Sequence, residues 1–231
     1  MDLAIEEFAS RDEAMAAAGA RIANALKQAL DARGGACVAL SGGSTPEPAY
    51  RAAASADLAW SNVDLALVDE RFVPPSDPAS NEGMVRRAFA PALEAGARLA
   101  PLWSPAEHVE EAAGLADSAY TRLHFDIAVL GLGGDAHTAS WFPHNAALDT
   151  LLAPDNPRAV MGLHEPNAAG ASARLTMTYA ALARVPSLLL LITGQDKRAR
   201  LEQALNEAPA DAPIAAVLNG LSDKLSIVWA P

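Results

Sequence analysis

The segment 125–144, FDIAVLGLGGDAHTASWFPH, combines residue types that suit proton transfer at a binding site. A glycine-rich turn follows an apolar run, and Asp135 and His137 come directly after that turn. Glycines let the backbone approach a ligand closely, and a histidine can take up and return a proton near neutral pH. We therefore interpret His137 as a general base and Asp135 as the carboxylate that orients its ring. Glu70 and Asp135 are the alternative bases.

Ala136 lies within this turn, between the two residues of the proposed acid–base pair. A positive φ costs an alanine of order 1 kcal/mol, so its presence predicts an ordinary helical or extended backbone. We expect a helix to begin at about Ala136. Such a helix would direct free N–H groups and the positive end of its dipole toward a ligand.

Three further segments place polar groups directly after apolar runs: SGGST at 41–45, DER at 69–71 and GQDK at 194–197. A phosphate dianion binds well to arginine, lysine and backbone N–H groups. For Arg71 the competing interpretation is an ion pair with Asp69 or Glu70, and for Lys197 it is a solvated side chain. The candidate phosphate ligands are Gly43, Ser44, Thr45, Arg71, Arg174 and Lys197.

The elements that carry these groups alternate between strand and helix patterns. Strands are predicted at 36–40, 63–68, 125–130, 188–193 and 225–229. Of these, 125–130 and 188–193 are continuous apolar runs, typical of parallel strands covered on both faces. Helices are predicted from the Ser10-x-x-Glu13 capping box to Gly34-Gly35, from Pro46, from Asn81 and over 195–206. The sequence predicts an α/β fold, an open, mostly parallel, Rossmann-like sheet flanked by helices on both faces. We expect residues 1–231 to form a single domain. Ligands of such sheets bind at the carboxyl ends of the strands, where the polar segments lie.

Composition and charge restrict the class of protein. The chain has 231 residues, of which 51% are hydrophobic, so it can form a substantial core. A net charge of −11 argues against nucleic acid and anionic membranes as partners. No secretory signal and no run of about 18 apolar residues is seen, and the single Cys37 excludes an internal disulfide. We expect a cytoplasmic protein, a monomer or a small homo-oligomer, with Cys37 in the core.

Taken together, the motifs resemble those of the 6-phosphogluconolactonases over residues 37–218. The matching segments are LSGGSTP (40–46), DER (69–71), Ser80-Asn81, GLGGDAHTASWFP (131–143), RLT (174–176) and GQDK (194–197). The chain departs from the family pattern at Ala136, where glycine is usual, and at Trp141, where leucine is usual. Ala171-Ser172-Ala173 also replaces a proline-containing segment before Arg174.

The resemblance implies a fold shared with glucosamine-6-phosphate deaminases and ribose-5-phosphate isomerases. It also implies hydrolysis of a small-molecule sugar-phosphate lactone, 6-phospho-D-glucono-1,5-lactone, in the oxidative pentose phosphate pathway, without a metal or organic cofactor. Lactone hydrolysis needs an activated water, donors for an oxyanion and a proton for the departing ring oxygen. His137 and the N–H groups of the glycine-rich turn could supply all three.

Three other functions are consistent with parts of the pattern. Gly131 to Ala136 fits the dinucleotide-binding pattern G-x-G-x-x-A, but the polar residues that follow argue against a dehydrogenase. A glucosamine-6-phosphate deaminase is harder to exclude, although that family typically has His-Ile-Ala-Phe-Asn-Glu-Pro at 137–143. A sugar-phosphate sensor would carry an added DNA-binding segment. The remaining histidines, His108, His124, His144 and His164, show no metal-ligand spacing.

Overall fold

The structure is a computed structural model, and it describes residues 4–231. Its β-strands are β1 (Ile5–Glu7), β2 (Ala36–Leu40), β3 (Val63–Leu67), β4 (Asp69–Arg71), β5 (Arg98–Leu99), β6 (Ile127–Leu130), β7 (Val160–His164), β8 (Ala173–Met177), β9 (Leu188–Thr193) and β10 (Leu225–Ala230). Its α-helices are α1 (Arg11–Arg33), α2 (Glu47–Ala54), α3 (Asn81–Ala88), α4 (Ala90–Glu94), α5 (Val109–Tyr120), α6 (Leu148–Leu152), α7 (Tyr179–Leu182), α8 (Gln195–Ala204) and α9 (Ile214–Gly220).

Seven strands form a central parallel sheet in the order β1-β10-β9-β6-β2-β3-β5. Every residue of β2 and β6 is buried, as is most of β9, because flanking helices cover the sheet. Continuous apolar strands are expected in such a position. The predicted mostly parallel α/β fold is therefore confirmed, with β1 and β5 as additional edge strands paired to β10 and β3.

A second, three-stranded antiparallel sheet has the order β4-β8-β7 and is absent from the sequence prediction. Val68 joins the two sheets: its N–H donates to Leu40 O at 2.9 Å, and its carbonyl accepts from Met177 N at 2.8 Å. The strands of this sheet are short and include polar and charged residues, so they give no continuous apolar run. The consequence for the site is that Arg71 lies opposite Arg174 on the neighbouring strand.

Helix α1 has the ends that the capping signals predict. Ser10 Oγ accepts a hydrogen bond from Glu13 N at 3.3 Å, and Gly34 ends the helix with a φ of +76°. This left-handed conformation is easy for glycine and strained for other residues. Helix α1 packs on β2 and α2 and so helps to fix the strand and loop that reach the site. No helix within residues 4–231 has the length and apolar character to cross a membrane.

Candidate active site

A cavity of about 360 Å³ lies at the carboxyl ends of β2, β6 and β9. Leu130 at the end of β6 and Ile192 near the end of β9 form part of its wall. This is the position at which open α/β sheets bind their ligands, and the volume suits a small molecule. Of the residues proposed from the sequence, those that line the cavity are Gly43, Ser44, Thr45, Arg71, His137 and Lys197.

His137 lies in the cavity wall and forms a close pair with Asp135, which is not part of the lining. The Nδ1 atom of His137 lies 2.5 Å from Asp135 Oδ1, and the same oxygen accepts the His137 backbone N–H at 3.1 Å. Burial alone would raise the pKa of Asp135, but the hydrogen bond and charge of His137 lower it to about 2. An ionised Asp135 places the proton of a neutral imidazole on Nδ1 and leaves Nε2 as the acceptor. Nε2 has no hydrogen-bond partner within the described chain.

The backbone around Ala136 differs from the prediction. Ala136 has a φ of +67°, and Ala139 and His144 are also left-handed. The first helix after Ala136 begins at Leu148. The strain at Ala136 is offset by tertiary contacts: its N–H donates to Gly133 O at 3.2 Å, its carbonyl accepts from Ile214 N at 3.1 Å, and its methyl group is fully buried. The prediction of an ordinary φ at Ala136 and of a helix starting there is wrong.

Gly133 of the glycine-rich turn has no space for a side chain because the imidazole of His137 packs against it. A Cβ at Gly133 would overlap the ring of His137, so any larger residue here would displace the ring. The Gly133 N–H donates to His137 O at 2.8 Å and is not free for a ligand. The N–H groups of Gly131 and Leu132, which also line the cavity, donate no hydrogen bond within residues 4–231.

Aromatic packing and hydrogen bonds fix the segment after His137. The Phe142 ring centroid lies 4.7 Å from that of His137. Trp141 is fully buried, and its Nε1–H donates to Met177 O at 2.8 Å, which ties the segment to β8. The tryptophan at a position where the family usually has leucine is thus accommodated with its one polar group satisfied.

The loop between β2 and α2 presents a row of backbone donors to the cavity. The N–H groups of Gly43, Ser44 and Thr45 make no hydrogen bond within the described chain. Gly43 has a φ of +104°, which explains the glycine at that position. The guanidinium of Arg11 stabilises the loop by donating a hydrogen bond to Ser44 O at 3.1 Å. The loop is therefore suited to an anion.

Two cations, Arg71 and Lys197, line the cavity. Arg71 Nη1 donates to Ala79 O at 2.5 Å, and its guanidinium forms no ion pair with Asp69 or Glu70, in contrast to the competing interpretation. Lys197 Nζ donates to Leu132 O at 2.8 Å, so this lysine is anchored and not merely solvated. Burial lowers the pKa of Lys197, and the charge of Asp135 acts in the opposite direction.

Arg174 lies beside the cavity, outside its lining. It is only 3% exposed, its Nη2 donates to Ala169 O at 2.5 Å, and its Cζ lies 5.8 Å from the Phe142 ring centroid. Burial and the neighbouring charge of Arg71 lower its pKa. Arg174 lies opposite Arg71 on the neighbouring strand, and its role in phosphate binding stays a prediction.

Glu70 is fully buried and therefore cannot serve as the alternative base in this arrangement. Its carboxylate accepts from the backbone N–H groups of Arg71, Asn81 and Glu82 and from Ser80 Oγ, at 2.7–2.9 Å. Burial raises its pKa, and these hydrogen bonds oppose the rise. Glu70 fixes the start of α3 against β4.

Several polar residues of the cavity wall are missing from the sequence prediction of site residues, among them Asp69 and Asn81. Both lie in motifs that carry the family resemblance, but their side chains were assigned no contact with a ligand. Cys37, by contrast, is where the sequence places it: it is 2% exposed in the core, and burial raises the pKa of its thiol.

Comparison with known proteins gives a consistent result. The family model described as glucosamine-6-phosphate isomerases/6-phosphogluconolactonase matches residues 9–229. A 6-phosphogluconolactonase of Mesorhizobium japonicum is 38% identical over 226 residues, covering 97% of this chain and 94% of that protein. One of Rhizobium meliloti is 41% identical over 216 residues, covering 92% and 90%.

The crystal structure of a 6-phosphogluconolactonase from Shewanella baltica superimposes with a TM-score of 0.94 at 29% identity, covering 100% of this chain and 98% of that one. The family model spans nearly the whole chain, and relatives above 30% identity match it almost end to end. The chain therefore belongs to the glucosamine-6-phosphate isomerase/6-phosphogluconolactonase family.

Proposed function

We propose that this protein hydrolyses 6-phospho-D-glucono-1,5-lactone to 6-phospho-D-gluconate in the oxidative pentose phosphate pathway. The observation that carries the proposal is the His137 imidazole at the cavity wall, with Nδ1 held by Asp135 at 2.5 Å and Nε2 without a partner in the described chain. Relatives at 38% and 41% identity are named 6-phosphogluconolactonase, which supports the same substrate.

In the proposed mechanism, Nε2 of His137 removes a proton from water as the water oxygen attacks the lactone carbonyl carbon. The carbonyl oxygen becomes an oxyanion, for which the free N–H groups of Gly131 and Leu132 are the candidate donors. Collapse of the adduct breaks the bond to the ring oxygen, and the imidazolium returns its proton there. The carboxylic acid product then ionises. Acid–base catalysis of this kind contributes typically about 10²–10⁴-fold.

Phosphate binding is assigned to the cations and backbone donors of the cavity. Arg71, Lys197 and the N–H groups of the 43–45 loop face the same space in a chain whose net charge is −11. Concentrating positive groups at one place lets an otherwise acidic protein attract a dianion. The proposed steps use only groups of the chain, and we propose that this single-domain enzyme works in the cytoplasm.

The test compares two substrates of the family. The purified protein should release protons from freshly prepared 6-phosphogluconolactone well above the spontaneous rate, and should release no ammonia from glucosamine 6-phosphate. Ammonia release without lactone hydrolysis would show that the protein is a deaminase, and the proposed function would be wrong.

A further inference from the structure

Glu70 is a buried carboxylate that has no part in the proposed proton transfer and no contact with the proposed phosphate site. It lies between Asp69 and Arg71 on β4, and successive side chains of a strand point to opposite faces. Asp69 and Arg71 line the cavity, whereas Glu70 is turned into the protein and has no exposed surface. A buried carboxylate is costly unless hydrogen bonds compensate its charge, so the contacts of Glu70 indicate what it does.

Four hydrogen bonds occupy the Glu70 carboxylate. Oε1 accepts the backbone N–H groups of Arg71 at 2.7 Å and Asn81 at 2.8 Å. Oε2 accepts the Glu82 N–H at 2.7 Å and the Ser80 hydroxyl at 2.9 Å. A carboxylate has about four acceptor positions, so none remains for a ligand. Glu70 therefore acts on the chain around it and not directly on a substrate.

These hydrogen bonds join the two ends of the loop 72–80 between β4 and α3. Arg71 precedes the loop, and Ser80 is its last residue and the N-cap of α3. Ala79, directly before Ser80, accepts a hydrogen bond on its carbonyl from Arg71 Nη1 at 2.5 Å. The position of the Ala79 carbonyl, and with it that of the Arg71 guanidinium, thus depends on Glu70.

The contact with Ala79 is what orients the Arg71 side chain. Within residues 4–231 it is the only hydrogen bond of the guanidinium, since Nε is buried without a partner and Nη2 donates to no group. A guanidinium is planar and its donors form a rigid fork, so holding one nitrogen sets the direction of the others. Nη2 is consequently available for an anion in the cavity.

We propose that Glu70 is a positioning residue of the phosphate subsite, which fixes the loop 72–80 so that the Ala79 carbonyl orients the Arg71 guanidinium. This inference rests on the proposed function. Glu70 touches neither the substrate nor the reacting atoms. Loss of its charge should therefore weaken the binding of phosphorylated ligands and leave the chemistry at His137 unchanged.

The experiment measures kcat and KM of the wild type and of Glu70→Gln on 6-phosphogluconolactone and on unphosphorylated gluconolactone. The glutamine oxygen can replace one carboxylate oxygen, but the NH2 group then faces a backbone N–H that loses its acceptor. We expect KM for the phosphorylated lactone to rise about tenfold, as for a partly lost hydrogen bond to a charged group, with little change in kcat. On the unphosphorylated lactone kcat/KM should stay within about twofold, because Arg71 has no phosphate to bind there.

A double variant separates positioning from a general loss of stability. If Glu70 acts through Arg71, Glu70→Gln should leave KM within about twofold when it is added to Arg71→Met. Glu82→Gln is the matched control, because Glu82 is a buried carboxylate on α3 that pairs with Arg86. It should leave KM unchanged.

A KM for Glu70→Gln within about twofold of the wild type would overturn the inference. An undiminished rise in the Arg71→Met background would also overturn it, as would an equal rise for Glu82→Gln or an equal loss on the unphosphorylated lactone. If Glu70→Gln fails to fold, Ser80→Ala decides, since it removes one of the four hydrogen bonds. Its KM should rise by at least about threefold, and an unchanged KM overturns the inference.

The outcome for the proposed function is read separately. A wild type inactive on the phosphorylated lactone would contradict that function. Calorimetric binding of inorganic phosphate would then test Glu70 without catalysis: Glu70→Gln should weaken it about tenfold, and equal affinity in the two proteins would overturn the inference.

Discussion

Replacing Asp135 by asparagine tests whether the carboxylate prepares His137 for catalysis. The change keeps the size of the side chain, and Oδ1 can still accept the His137 backbone N–H, which lies at 3.1 Å in the wild type. The amide group can also donate to Nδ1. That contact would favour the tautomer with its proton on Nε2, which cannot accept a proton from water.

The expected loss follows from the geometry of the pair. A hydrogen bond to a charged group is worth about 1.5–3 kcal/mol, and the Asp135 side chain is 48% exposed, so the lower part of this range applies. About 1.5 kcal/mol corresponds to roughly tenfold in rate, and the unfavourable tautomer adds to it. We expect kcat to fall about 10- to 100-fold with KM changed less than twofold, because the phosphate contacts remain.

The low pKa of Asp135 argues against a direct proton transfer by this residue. Because the pKa is about 2, the carboxylate is ionised and only weakly basic throughout an assay from pH 5 to 8. A depressed carboxyl pKa also stabilises the fold above the ordinary carboxyl range, and this contribution is lost as the pH falls through about 2.

The assay is initial proton release from the lactone, corrected for spontaneous hydrolysis. Asp149→Asn serves as the control, since Asp149 is exposed on α6 away from the cavity. A kcat for Asp135→Asn within twofold of the wild type would refute the orienting role.

Three further predictions concern binding and backbone strain. Arg71→Met should raise KM about 10- to 100-fold with little effect on kcat, whereas Arg122→Met, at an exposed position outside the cavity, should leave KM unchanged. Unphosphorylated gluconolactone should be a poor substrate. Equal kcat/KM on the phosphorylated and unphosphorylated lactones would exclude a phosphate site here. Burial lowers the pKa of Lys197, so the affinity for 6-phosphogluconate, measured by calorimetry, should fall with rising pH at a lower pH than for an ordinary lysine. Lys197→Arg should remove this pH dependence. Ala136→Val should lower the free energy of unfolding by more than about 2 kcal/mol, because a β-branched residue is strained at a φ of +67° in a fully buried position. Ala136→Gly should change the free energy of unfolding by less than about 1 kcal/mol. Similar denaturant midpoints for the two variants would contradict this prediction.

The five inner strands of the central sheet could be predicted because they are largely buried on both faces and therefore consist mainly of apolar residues. Leu188–Thr193 is predicted to the residue, and the ends of α1 follow from Ser10 and Gly34. The antiparallel sheet escapes prediction because strands such as Ala173–Met177 combine apolar residues with Arg174 and Thr176.

The parts of the site that could not be predicted depend on contacts between distant segments. The left-handed Ala136 is supported by Ile214, which lies 78 residues further along the chain. The guanidinium of Arg174 lies 5.8 Å from the ring centroid of Phe142, which is 32 residues earlier in the chain. Asp69 directly follows the apolar run 63–68, and that position was a usable signal for a residue of the cavity wall.

The most direct test of the central claim is the pH dependence of kcat for lactone hydrolysis by the wild type and by His137→Gln. For the wild type we expect kcat to rise with pH to a plateau, a limb that reports deprotonation of the general base. The variant should lose at least about 10²-fold in kcat and should lack this limb, while 6-phosphogluconate still binds through the phosphate contacts. A variant that keeps near wild-type kcat with the same pH limb would show that another group is the base.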